Sequence, residues 1–411
     1  MTHKEWPRYI VVAGFFTWAF FEPWGITGAE IGLGISLLGT ILDVFINRKT
    51  LKVKASWIPA FLFLLWSLRS SISTKAAVGL NSYPHLWILL MFLISAIYLD
   101  GEISARSVLT LFLLSLSVCA VYSIIQHYTG LDLMHHDKSE KFLKLVRDWR
   151  YQVVGTYTHH LTLANVMLLG AVLAFGRAIE FIRRARFFWL ISGLLMATAM
   201  LFTFTHGPLV GFIAGICVLA ILVDPKRAIF VLAGVALLAL LLLALSDNFR
   251  YFILHKWSDR AHAERLYVWK ASLKLVREHP IFGVGAGNFR EQITPLLKDV
   301  PIHISSRAHA HNTFLQYAVE FGLVGAGLII WLFSSLLVSG IKRLAALKRA
   351  KDRSYLELAG YIAAVSGLLV SGLTQHVLGD AEVAIICWLL CGIISAKSEG
   401  LSEGVSSERV S

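Results

Sequence analysis

An all-α, polytopic transmembrane bundle of about twelve spans, with a long outer loop that contains helix, is the fold class this sequence predicts. Three observations lead there. Of 411 residues, 56% are hydrophobic and only 16% are charged, whereas a soluble domain carries about 25% charged residues. The apolar residues come in blocks of roughly 17–25, the length that crosses a ~30 Å hydrocarbon core. Blocks such as 228–245 are apolar all round, which does not fit the alternating ~10-residue strands of a membrane barrel.

The first block, Tyr9 to Phe21, follows Lys4 and Arg8 and runs into Glu22-Pro23-Trp24. No small-residue cleavage site follows it, so it reads as an anchor. The blocks set spans at 9–22, 26–46, 57–72, 84–99, 105–127, 157–176, 187–205, 207–223, 228–246, 312–339, 355–377 and 379–396. Residues 1–246 then hold nine spans and a basic outer loop at 128–156. Residues 247–311 form the long loop, 312–396 the last three spans, and 397–411 a polar tail. The stretch Thr205-His206-Gly207-Pro208 either separates two helices or kinks one. A tight turn at Leu378-Gly379-Asp380 joins the last two spans. Cys119, Cys217, Cys387 and Cys391 all fall inside apolar blocks and read as small buried residues, without disulfide or metal spacing.

Lys and Arg in short loops set the orientation. With the N-terminus inside, the inner loops hold Arg48, Lys49, Lys52 and Lys54; Arg106; Arg177, Arg183, Arg184 and Arg186; and Lys226 and Arg227. A further basic run lies between Lys342 and Arg353. The outer turns are nearly free of them, and both termini fall on the cytoplasmic side. Two longer outer segments are basic nonetheless. Residues 128–156 carry Lys138, Lys141, Lys144, Arg147 and Arg150, and 247–311 carries ten Lys or Arg. Long loops escape the topology rule. Their charge either solvates a loop face or holds an anion on the outer side.

The long loop is the informative segment. Leu266, Trp269, Leu273 and Val276 recur at helical spacing and predict an amphipathic helix ending at His279-Pro280, with Arg265 beside the apolar stripe. Gly283, Gly285 and Gly287 follow. They make a tight turn or, less in keeping with the absent Walker lysine, a phosphate cradle. His303, His309 and His311 come next. His309-Ala-His311 has the spacing of a metal pair, but no acid or cysteine completes a ligand set. His311 opens the next span, where a histidine is ordinarily a cap or an interface residue.

Here the sequence resembles the O-antigen ligase family, part of a superfamily that also holds O-antigen polymerases. The match is His311-Asn312, nine residues, then Gly322-x-x-Gly325. Upstream stand Arg265-x3-Trp269 and Glu278-His-Pro280-Ile-Phe-Gly283-Val-Gly285-Ala-Gly287-Asn288-Phe289. The resemblance implies an enzyme that moves a glycan from undecaprenyl diphosphate to a sugar of the lipid A core in lipopolysaccharide synthesis. It implies a multi-pass protein of the bacterial inner membrane with a periplasmic active site. It also implies an essential histidine, falling on His311, and an essential loop arginine, placed on Arg265. One departure stands out. Many family members carry an arginine-glycine pair where this chain reads Thr203-Phe-Thr-His206-Gly207.

The chemistry asks for these residue types. A glycosyl diphosphate already has a leaving group, so the barrier lies in charge building on the diphosphate and in deprotonating a poor nucleophile. Arginine answers the first with a permanent, two-pronged charge. Arg265, Arg147 and Arg150, with His303 and Arg307, are the expected diphosphate ligands. A neutral histidine answers the second as general base. That role is expected of His311, with His206, His309 and Asn312 in support. The chain has no Asp-x-Asp, so the expected mechanism uses no metal and no cofactor. The expected partners are the carrier-linked donor, the lipid A core acceptor and membrane lipids, with no nucleic acid. A polymerase of the same superfamily would use the same groups. A transporter of lipid-linked sugars would instead place cations at the bilayer midplane, where these spans carry few.

Overall fold

The computed structural model describes residues 4–48, 54–73, 87–99, 104–134, 143–147, 150–226, 228–229, 233–234, 259–302, 304 and 308–398. The bundle begins with α1 (Trp6–Phe21), a 3-10 turn (Glu22–Trp24) and α2 (Ile26–Asn47). Then come α3 (Trp57–Ser73), α4 (Leu90–Tyr98, led in by a 3-10 turn at Trp87–Leu89) and α5 (Ala105–Thr129). After a small hairpin follow α6 (His160–Glu180), α7 (Arg184–Leu201) and α8 (His206–Val223). The long loop holds α9 (Asp259–Glu278) and α10 (Phe289–Leu296). The chain then runs through α11 (Thr313–Arg349), α12 (Ser354–Ser371) and α13 (Ala381–Ser398).

Among the described residues, eight helices are long and apolar enough to cross a membrane: α2, α5, α6, α7, α8, α11, α12 and α13. α1, α3 and α4 match expected spans but are shorter. The span expected at 228–246 lies outside the described residues except at 228–229 and 233–234. α6 and α13 form the centre, with 89% and 83% of their spanning windows buried. α7 and α8 sit at the rim and turn Phe187, Leu194 and Val210 outward, as lipid-facing helices do. α8 meets α12 through small residues. A side chain added at Gly211 would strike the Gly367 carbonyl at 2.5 Å, the close backbone approach that holds membrane helices together without a hydrophobic drive.

The structure corrects several expectations. Within 128–156 lies an antiparallel hairpin, β1 (Lys144–Arg147) and β2 (Arg150–Gln152), the one pair of strands among the described residues. Its register pairs Arg147 with Arg150. The α7–α8 turn holds it: the Val153 N–H donates to the Phe202 carbonyl at 3.2 Å, and Gln152 Nε2 donates to the Thr203 carbonyl at 2.6 Å. That same turn makes α7 and α8 two helices rather than one kinked rod. The last two spans are joined by residues 372–380 with a 3-10 turn at Val377–Gly379, not by a three-residue turn.

Polar contacts gather the helix ends at two opposite faces. At one, Arg106 pairs with Glu180, Lys397 with Glu357 at 3.4 Å, and Tyr361 donates to Glu357 at 2.6 Å. These join the start of α5, the end of α6, the start of α12 and the end of α13. At the other, Glu22, Tyr157, Asp380 and the residues before α11 come together. The candidate site lies at this second face.

Candidate active site

The site is assembled by α9 docking against α11. The buried face of α9 keeps Val276 of the expected stripe but not its two leucines. Leu266 and Leu273 are about half exposed, while Val268, Ser272 and Leu275 are buried. The helical wheel offers two overlapping apolar stripes, and the one bearing Ala271 and Ser272 is slim enough to pack closely. This rotation carries Arg265 from the edge of the stripe into the buried face. Trp269, one turn on, donates from its indole Nε1 to the Ala310 carbonyl at 2.8 Å. Gln316 of α11 accepts the Ala310 N–H at 2.7 Å. Ala310 is thus clamped from two helices, and the histidines on either side of it are held against Arg265. Trp269→Phe keeps the packing and removes the indole donor. It is expected to lower activity at least several-fold with little loss of protein yield, read as transfer rate per folded protein.

His311 is not the helix cap. Asn312 takes that place, accepting the Leu315 N–H at 3.0 Å and donating to the Leu373 carbonyl at 2.9 Å. His311 precedes it in the left-handed region, with φ 50°. Such backbone strain in a non-glycine residue is typically kept where function needs it. The His309 ring lies 4.4 Å from that of His311, centroid to centroid, and its Nδ1 accepts the His311 N–H at 3.3 Å. The neutral His309 therefore carries its proton on Nε2.

Charge and burial act together here. Burial first, then His309 and then Arg265 push His311 down to about 3. His309 is pushed down by burial, His159 and Arg265. Burial also pulls Arg265 below the usual guanidinium range, although it stays charged at any working pH. Among the described residues, no carboxylate pairs with Arg265. A half-desolvated guanidinium with no carboxylate partner among the described residues, facing two neutral imidazoles, is an arrangement that can receive an anion.

The three-glycine turn serves α11 rather than a ligand. Gly283, Gly285 and Gly287 all have positive φ. The N–H groups of Val284 and Gly285 donate to the Val319 and Glu320 carbonyls, and that of Gly287 to the Glu320 carboxylate. These donors are spent within the chain, which displaces the phosphate-cradle reading. The turn seats where α11 breaks at Gly322, φ 71°. A Cβ there would meet the Ile281 carbonyl oxygen. The two glycine motifs are halves of one joint, and Ser70 and Trp66 of α3 brace it through the Phe282 and Phe321 carbonyls.

The remaining predicted residues are distributed. Arg150 lies over the Tyr128 ring at 4.4 Å. The Arg147 side chain, His303 and Arg307 lie outside the described residues. His206 opens α8, and its neighbour Gly207 abuts Thr374 and Gln375. That connection carries His376, whose ring lies 6.1 Å from His309. His376, His159, Asp380, Glu30 and Glu382 border a cavity of about 540 Å³ that reaches His309. Sequence reasoning missed all five, which stand at or near helix starts in three separate segments. Among the described residues, no group of three or more His, Cys, Asp or Glu is placed to hold a metal ion.

The described residues form a multi-pass helical bundle with histidines and an arginine gathered at one face, and the chain is similar to proteins of polysaccharide assembly. Residues 191–330 match the family model described as O-antigen ligase, a stretch that contains the histidine-asparagine motif. The chain is 23% identical over 366 residues to the exopolysaccharide production protein ExoQ of Rhizobium meliloti (strain 1021), across 82% of this chain and 76% of that one. It also resembles a chain from a structure described as "Structural coordination of polymerization and crosslinking by a peptidoglycan synthase complex". The TM-score is 0.45 at 16% identity, covering 84% of this chain and 98% of that chain.

Proposed function

We propose that this enzyme transfers a preassembled glycan from undecaprenyl diphosphate to a sugar hydroxyl of the lipid A core, on the periplasmic face of a bacterial inner membrane. The observation that carries the reading is the half-buried Arg265 beside His309 and His311, with no carboxylate partner among the described residues. Arg265 binds the diphosphate and takes up charge as the glycosyl bond breaks. Arg150 and Arg147, paired across their hairpin, and His303 and Arg307 are proposed to extend the anion site, with His206 and Asn312 as supports. His311 accepts the proton of the attacking hydroxyl, and the diphosphate departs. The basic inner loops support cytoplasmic termini.

A second reading is favoured by the relative named for exopolysaccharide production: the acceptor is another carrier-linked glycan, and the enzyme is a polymerase. Purified enzyme in nanodiscs, given one labelled donor and both acceptors, separates the two. Label on the lipid A core supports ligation. Label only on lengthened carrier-linked chains assigns polymerisation, and label on neither rejects both.

The mechanism is proposed to need no metal. Transfer is expected to be unchanged in a strong chelator, measured by the same assay. Loss of activity that a divalent ion restores would overturn this part.

A further inference from the structure

We infer that the cavity beside His309 receives the accepting sugar ring, and that its carboxylates select a neutral or amino sugar over a phosphorylated or uronic one. This rests on the glycan-transfer reading above. His309 borders both halves of the site. On one side stand His311 and Arg265. On the other is the cavity of about 540 Å³, a volume typical of small-ligand sites. Diphosphate belongs with the guanidinium, so the cavity is left for the second substrate, one histidine away from the base.

The cavity wall has the opposite sign. Glu30, Asp380 and Glu382 line it. Thr162 Oγ1 donates to Asp380 at 2.5 Å, Asp380 stands just before α13, and Glu382 lies in its first turn. Their field reaches through the wall. The fully buried Glu22 behind it is held well above the carboxylate range by burial first and then by Glu382, with Asp380 adding to the same effect. Carboxylates accept hydrogen bonds from sugar hydroxyls and attract an ammonium group. They repel a phosphate or uronate brought within a few ångströms in a partly dry site. The two substrates are thereby sorted by charge, and a diphosphate carrier is kept from entering the acceptor pocket.

The test uses the full chain in nanodiscs and four hexyl glycosides alike but for charge: glucoside, glucosaminide, glucuronide and glucoside 6-phosphate. Calorimetric titration is expected to show the first two binding at least tenfold tighter than the last two. In Glu30→Gln and Glu382→Gln, that ratio should fall at least threefold. Equal affinity for all four, no binding of any, or a ratio that neither variant changes overturns the inference. Transfer from labelled donor is measured on the same samples. Charge-selective binding without transfer to any acceptor overturns the glycan-transfer reading and leaves the selective cavity standing.

Discussion

His311→Ala is expected to lower glycan transfer roughly 10²–10⁴-fold, the ordinary worth of a general base, while the enzyme still folds and binds its donor. At about 3, His311 in the free enzyme is neutral at every working pH, as a base must be. It is also too weak to take a proton from a sugar. Donor binding resolves this. The diphosphate cancels the repulsion from Arg265 and adds attraction of its own, so the affinity of His311 for a proton rises when it is needed. The pH profile follows. kcat/KM for the donor reports the free enzyme and should show no acid limb between pH 5 and 8. kcat reports the bound complex and should show one at higher pH than any in kcat/KM. If His311→Ala keeps full activity, or both profiles share one limb, His311 is not the base.

The same shift has a stability consequence with a definite sign. The unfolded histidine titrates near 6.5 and the folded one near 3. Between these values the unfolded chain binds the extra proton, so His311 costs the native state progressively more as pH falls through that window. His311→Asn should therefore unfold less readily than the parent at pH 4, with little difference at pH 8.

How much of this was legible in the sequence depends on how far apart the contributing residues lie. The eight long apolar helices were, because block length and composition are local properties and a bilayer demands both. His311-Asn312 and Arg265-x3-Trp269 were visible as motifs, and the single-turn spacing of the latter is what lets Trp269 hold the loop that Arg265 faces. The face of α9 was misread because both of its stripes are apolar, and only packing against α11 selects one. The glycine turn showed as a turn, but its purpose depends on Gly322, thirty-five positions after Gly287. His159, His376 and Glu30 stand in three segments that converge only when the bundle closes. The Arg147–Arg150 hairpin is too short for alternation to stand out, and its register rests on contacts with the α7–α8 turn.

Arg265 supplies the second large effect, and its test separates function from architecture. Arg265→Ala should reduce kcat by about 10²–10³-fold, the range seen when one preorganised charge-stabilising group is removed, and should weaken donor binding as well. Arg265→Lys restores charge without the planar fork and should recover only part of each loss. Arg265→Met is the decisive variant. A guanidinium half removed from water with no carboxylate among the described residues is a cost to the empty protein, and an apolar side chain of similar length relieves it. The Met variant should therefore melt at a higher temperature than the parent while being nearly inactive. A structural arginine would behave oppositely, with stability falling along with activity. The variant also bears on His311. Without the neighbouring positive charge, the free-enzyme titration of His311 should move upward by NMR. The added stabilisation from donor binding should shrink, because the anion no longer meets its guanidinium. Arg265→Ala and His311→Ala should not multiply when combined, since both act on one transition state.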